Sequence, residues 1–178
     1  MEGQPMGKIW HVGLAVPDLE RGKAEIGELF GLTWRPVVVR SMTIKDAEGR
    51  ARGVDVRVTF SLGSPFAVEL WQEIPGTPLA TPEAGWFHHL GYWADDYAAE
   101  RQRLSDLGHP PFLSSDPTLL ISRGPGNLLV EPCDLGRDQP YLRDLYPADS
   151  AYFGPPVLPT ENGPPVLPAR TPAAEERQ

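Results

Sequence analysis

An α+β fold built from two βαβββ modules is what the sequence predicts, and three observations carry it. Residues 11–19, HVGLAVPDL, lie in frame over residues 89–97, HLGYWADDY, so that His-x-Gly followed by an acidic residue recurs. Behind each opening the apolar pattern runs strand, helix, strand, strand, strand. A spacer rich in Pro and Gly, IPGTPLATPEAG, separates the two runs. A repeat of roughly 75–80 residues reads as two copies of one supersecondary unit. It puts His11 and His89 at equivalent positions.

The elements follow in order. Residues 8–16, KIWHVGLAV, read as the first strand. Pro17 and Asp18 open a helix with Leu19, Ala24, Ile26, Leu29 and Phe30 as its apolar stripe, and Gly31 stops it. Residues 33–40, TWRPVVVR, read as a strand in which Pro36 marks an edge or a bulge. DAEGRARG reads as a loop. Residues 54–60, VDVRVTF, alternate strictly and form a half-buried strand. LGSP is a turn, and 66–73, FAVELWQE, closes the first module. Residues 87–94, FHHLGYWA, restart the pattern. Asp95 and Asp96 cap a helix carrying Tyr97, Ala98, Leu104 and Leu107, closed by Gly108. Short strands near 111–115, 118–123 and 127–133 follow, with the turn RGPG between the last two.

The resulting layout is one domain over 1–153: a module at about 8–73, a linker at 74–85, a module at about 86–135, and an extension to 153. From Gly154 the chain reads GPPVLPTENGPPVLPARTPAAEERQ, with GPPVLP twice. No helix or central strand runs through proline at that spacing. Residues 154–178 are expected to be a Pro-rich, disordered tail.

Composition narrows the function classes. The net charge is -8 with no block of Lys or Arg, which argues against nucleic acid or an anionic membrane as partner. Cys133 is the one cysteine, so no intrachain disulfide framework exists. No stretch approaches the ~20 apolar residues of a membrane span, and the apolar run near the N-terminus is too short for a signal peptide. A soluble, cytoplasmic protein is expected.

Strand parity then selects candidate residues. Successive side chains of a strand point to opposite faces. If the apolar set of each strand packs under a helix, Trp10, Val12, Leu14 and Val16 go there, as do Val54, Val56, Val58 and Phe60. The opposite faces then line a cavity with His11, Gly13 and Ala15; Asp55, Arg57 and Thr59; Glu69 and Trp71; His89, Gly91 and Trp93; and Leu129, Glu131 and Cys133. By the same rule only one of the neighbours His88 and His89 can enter the cavity. The repeat selects His89 and leaves His88 as a packed or hydrogen-bonded residue. Two imidazoles and two carboxylates, His11, Glu69, His89 and Glu131, suit a divalent first-row metal. The carboxylates also neutralise its charge in a dry site. Gly13 and Gly91 leave room beside the histidines. Trp71, Trp93, Thr59 and Cys133 are the expected substrate-pocket residues.

The paired modules with HVGLAVPDLERG, VELWQ, HHLGYWADD and NLLVEP resemble the vicinal oxygen chelate superfamily, the group of glyoxalase I, methylmalonyl-CoA epimerase, bleomycin-resistance proteins and extradiol dioxygenases. The resemblance covers roughly residues 8–135. It implies that each module curls into half a barrel and that the two halves enclose a divalent metal (Zn, Ni, Co, Mn or Fe) around a central cavity. It implies ligands from the first and last strand of each module, the same four residues that parity selects, and an open position for two neighbouring substrate oxygens.

Three function classes follow. The first is an isomerase, epimerase or lyase that abstracts a proton next to a metal-bound carbonyl, with Glu131 as base by the resemblance. Arg57 would hold a substrate oxygen and Asp55 would serve as a second acid or base. The second is extradiol ring cleavage on Fe(II), against which a fourth protein ligand argues. The third is a metal-free binder that sequesters an aromatic antibiotic. A small aromatic or carbonyl compound is the expected partner, since no basic cluster is visible for the phosphates of a coenzyme A thioester. A homodimer is an admissible assembly.

Overall fold

The computed structural model describes residues 9–62 and 67–134. Residues 1–8, most of the expected LGSP turn, the extension beyond 134 and the GPPVLP tail lie outside them. The strands are β1 (Ile9–Val16), β2 (Thr33–Trp34), β3 (Val38–Asp46), β4 (Ala51–Leu62), β5 (Ala67–Gln72), β6 (Phe87–Ala94), β7 (Pro111–Ser115), β8 (Leu119–Arg123) and β9 (Leu129–Asp134). The helices are α1 (Leu19–Phe30) and α2 (Tyr97–Asp106). Starting at β4, the strands run β4-β3-β7-β8-β9-β6-β1-β5, and β5 pairs back onto β4. The two-residue β2 flanks β4. The result is a mixed, barrel-like sheet of eight strands with two helices outside it.

Local chemistry sets the helix ends. Asp18 and Asp96 sit in extended backbone and accept hydrogen bonds from the N–H groups of Arg21 and Ala99. Gly31, with φ 66°, ends α1 in the left-handed conformation that costs glycine nothing. The apolar stripe expected on α1 is corrected. Leu29 and Phe30 are exposed, and the helix seats itself through Leu19 and Gly22. A Cβ on Gly22 would lie 3.0 Å from the Val16 methyls, so the missing side chain lets the helix close on β1. On α2 only Leu104 is buried, while Ala98 and Leu107 face solvent.

The strand expected over 33–40 is two strands. Pro36 cannot donate to a ladder, and pairing lapses between Trp34 and Val38. The loop expected at DAEGRARG is mostly hairpin: β3 pairs with β4 from Val38↔Val58 to Lys45↔Ala51. The Asp46 carboxylate closes that turn by accepting from the N–H groups of Glu48 and Arg50, which shortens the loop.

Two cores divide the interior. A small one under α1 holds Val16, Leu19 and Leu70. The larger one lies inside the barrel and includes Trp10, Val56, Val58, Phe60, Trp71, Trp93 and Cys133. The placement of β4 is therefore the reverse of the expected one. Among the described residues α1 packs chiefly on β5 and β2 and α2 on β9, rather than on β4. The apolar set of β4 turns into the barrel, and Asp55 and Arg57 turn out to solvent. No helix among the described residues is long and apolar enough to cross a membrane.

Candidate metal centre

Four adjacent strands, β5-β1-β6-β9, build the site. β1 and β6 run antiparallel, with His11 opposite Gly91 and Gly13 opposite His89. β5 is parallel to β1 and sets Glu69 beside Gly13; β9 is parallel to β6 and sets Glu131 beside Gly91. Two rows cross the sheet as a result: Glu69–Gly13–His89 and His11–Gly91–Glu131. In each row a glycine lies between an imidazole and a carboxylate.

The glycines are a steric requirement. A Cβ on Gly13 would sit 1.9 Å from Cε1 of His89, and one on Gly91 would sit 1.9 Å from Cε1 of His11. Each ring lies flat over the glycine of the neighbouring strand, and this folds both Nε2 atoms toward the centre. Nε2 of His11 and Nε2 of His89 are 2.8 Å apart. Oε2 of Glu131 lies 2.8 Å from Nε2 of His89 and 3.1 Å from Nε2 of His11. Oε2 of Glu69 lies 3.5 and 3.7 Å from the same two nitrogens. All four donor atoms fall within 4.8 Å of one another.

These residues fit a divalent metal. Metal–ligand bonds of ~2.0–2.2 Å set donors about 2.8–3.6 Å apart in tetrahedral or octahedral geometry, and the observed separations bracket that range. Oε2 of Glu69 is buried without a hydrogen-bond donor, the state of an acceptor awaiting a cation. Nitrogen and oxygen donors without thiolate suit Zn, Ni, Co, Mn or Fe alike.

Electrostatics separates the two carboxylates. Burial pushes Glu131 up, but hydrogen bonds and charge from the two imidazoles outweigh it and hold the carboxyl far below the usual range. Burial also pushes Glu69 up, and there the opposing pull of His11 is too weak to reverse it. His88 is driven down to about 4 by burial and then by His89, so it is neutral at neutral pH.

A cavity of about 410 Å3 opens beside the four donors. Trp71 and Cys133 line it together with Trp10, Arg40, Met42, Val56, Val58 and Phe60. Trp93 stands behind the wall, stacked on Trp10 at 4.4 Å and 9°. The other expected residues face elsewhere. Thr59 is buried and donates to the Arg35 carbonyl. Asp55 accepts from Ser41 Oγ on the surface, and Arg57 donates to Gln72 Oε1 there. Asp55→Asn and Arg57→Ala should leave metal content unchanged and shift stability by no more than about 0.5 kcal/mol, as surface changes do. A loss of metal in either variant would return these residues to the site.

Arg40 and Trp10 are among the lining residues that sequence reasoning missed, each for an identifiable reason. Arg40 belongs to the alternating set Val38, Arg40, Met42, Ile44 of β3, visible only if the strand is carried on to Asp46. Trp10 enters the barrel through a β-bulge. The β1–β6 register steps from Ile9↔Tyr92 to His11↔Gly91, leaving Trp10 as the extra residue. A second step, from Gly13↔His89 to Leu14↔Phe87, leaves His88 as the extra residue of β6. Parity fails at both places. His88 is buried near His89, against Trp71 and Phe112, on the side opposite to the one parity assigns.

The comparisons with known proteins agree with this architecture. The sequence model of the Glyoxalase/Bleomycin resistance protein/Dioxygenase superfamily matches residues 10–118, more than half of the chain. No curated protein sequence matches the chain. Among solved structures, methylmalonyl-CoA epimerase from Mycobacterium tuberculosis superposes with a TM-score of 0.53 at 18% identity, over 75% of this chain and 92% of that one. A triple mutant of 4-hydroxymandelate synthase from Streptomyces coelicolor gives a TM-score of 0.50 at 18% identity, over 73% of this chain and 38% of that one. At such identities the likeness is one of fold. With the family match and the barrel in agreement, the chain belongs to the glyoxalase/bleomycin resistance protein/dioxygenase group, the vicinal oxygen chelate superfamily.

Proposed function

We propose that the protein is a metal-dependent isomerase, epimerase or lyase that abstracts a proton next to a carbonyl group of a small substrate. The observation that carries this reading is the convergence of His11, Glu69, His89 and Glu131, three of which, His11, Glu69 and Glu131, line the cavity. His11, Glu69, His89 and Glu131 would hold a divalent metal, which would supply Lewis-acid stabilisation of an enolate-like anion.

The chain's own residues do the rest. The barrel wall of Trp10, Val56, Val58 and Phe60 excludes water and accepts an apolar or aromatic substrate body. Arg40, in place of Arg57, is the guanidinium that this cavity offers to a substrate oxygen. Two carboxylates are in place for the base. The resemblance assigns Glu131, which its imidazole neighbours hold ionised. Glu69 has a second claim from geometry: its Oε2 lies farther from both imidazoles and carries no hydrogen bond. A carboxylate held less firmly is freer to take a proton.

The alternatives are Fe(II) ring cleavage and metal-free sequestration of an aromatic antibiotic. Four converging donors weigh against both. Ring cleavage needs positions open for both the diol and dioxygen, and a pure binder has no use for the donor set. The test incubates the metal-loaded protein with small α-proton carbonyl compounds in deuterated water and follows exchange at that carbon by NMR. Metal-dependent exchange supports the proposal. Oxygen uptake on an iron-loaded sample, or tight ligand binding without any metal, overturns it.

A further inference from the structure

His88 serves as neither ligand nor base in this scheme, yet it is 3% exposed and bonded at both ring nitrogens. Its Nε2 lies 2.9 Å from the carbonyl oxygen of Pro78. A carbonyl oxygen only accepts, so His88 carries its hydrogen on Nε2 and donates it there. A neutral ring then has a bare Nδ1. That atom lies 3.2 Å from Nδ1 of His89. Two bare nitrogens do not approach in this way, so His89 carries its hydrogen on Nδ1 and donates to His88. The remaining nitrogen of His89, Nε2, lies 2.8 Å from Oε2 of Glu131 and faces Glu69 and His11; without a metal it donates a hydrogen to that carboxylate, and a bound metal would take the place of that hydrogen.

We propose that His88 is a positioning residue which fixes the tautomer and ring orientation of His89, and so presents Nε2 of His89 to the metal. The proposal rests on the metal reading above. The chain Pro78 carbonyl, His88, His89 is a relay of two hydrogen bonds ending at the site. The β6 bulge makes it possible. On a regular strand His88 and His89 would point to opposite faces, and no contact between their rings would form. Trp71 packs on both rings, at 4.7 Å from His88 and 5.1 Å from His89, which keeps water from replacing either bond. In the repeat, Trp10 holds the corresponding place next to His11 and meets that ring edge-on at 4.2 Å. An indole N–H donates only, so Trp10 cannot accept a hydrogen from an imidazole. The two ligand histidines are therefore held by different means, and only His89 has a histidine behind it.

The test measures the affinity of the metal-stripped full chain for Zn(II) by competition with a chelator, for wild type, His88→Phe, His88→Asn and His89→Ala. His88→Phe keeps the bulk but cannot accept a hydrogen; it should bind Zn(II) 10–100-fold more weakly, as loss of an outer partner does. His88→Asn places an acceptor oxygen near the position of Nδ1 and should recover most of that loss. Equal affinities in wild type and His88→Phe, with His89→Ala still defective, would overturn the relay alone. Equal affinities in wild type and His89→Ala would instead overturn the metal reading. Nitrogen-15 NMR of wild type gives a check that needs no variant to fold. The relay predicts a slowly exchanging proton on Nδ1 of His89, and a bare Nδ1 on that ring would contradict it.

Discussion

Glu131→Gln is expected to retain most of the metal and to lose turnover by roughly 10²–10⁴-fold, the contribution of a general base. Glutamine keeps a ligating oxygen and nearly the same volume but cannot accept the substrate proton. Solvent exchange at the substrate carbon should fall in parallel, since exchange and turnover share the abstraction step. Glu69→Gln serves as the internal control. If Glu131 is the base, Glu69→Gln weakens the metal site and spares more of the turnover. If the ordering is reversed, with Glu131→Gln active and Glu69→Gln inert, the less firmly held carboxylate is the base. Each sits on a strand parallel to a histidine strand, β5 beside β1 and β9 beside β6, so the assignment turns on chemistry rather than on reach.

Gly91→Ala is expected to destroy the site as completely as loss of a ligand. The added methyl would lie 1.9 Å from Cε1, 2.2 Å from Nδ1 and 2.3 Å from Nε2 of His11. The ring cannot stay over residue 91, and His11 is 1% exposed. Overpacking of this kind costs about 1–3 kcal/mol, and more where nothing can move. The expected readout is a lower melting temperature together with loss of Zn(II) binding, although no ligand has been changed. Gly13→Ala should do the same to His89. Gly49→Ala, with no atom within 4 Å of its added carbon, controls for glycine replacement as such; its φ of 77° adds only local strain. Normal metal affinity in Gly91→Ala would show that His11 can reach the centre from another rotamer, and that the rows described here do not constrain it.

Much of this was legible in the sequence because the donors lie where two independent patterns coincide. The His-x-Gly repeat marks β1 and β6, and alternation in VELWQ and NLLVEP marks Glu69 and Glu131. Each pattern is local to one strand, and parallel pairing of β5 with β1 and of β9 with β6 brings them together. The errors have two physical sources. Sorting by parity assumed that the apolar face of every strand lies under a helix. Around a barrel with two helices this fails for β4, where Val56, Val58 and Phe60 fill the interior and Asp55 and Arg57 meet solvent. Parity also assumes unbroken pleating. The bulges at Trp10 and His88 depend on pairing between strands 78 residues apart, and no local composition announces them. The apolar stripe of α1 misled for a third reason. Its seat on β1 is made by the absence of a side chain at Gly22, so Leu29 and Phe30 are left outside.

The central claim is that His11, Glu69, His89 and Glu131 together hold one divalent metal ion. The most direct measurement is elemental analysis of the full chain after purification in metal-free buffer and reconstitution with Zn(II), for wild type and for each of the four residues changed to alanine. Wild type is expected to hold one equivalent of metal and all four variants to lose it sharply, with the fold intact by circular dichroism. A wild type that takes up no metal, or a His89→Ala protein that retains a full equivalent, would contradict it.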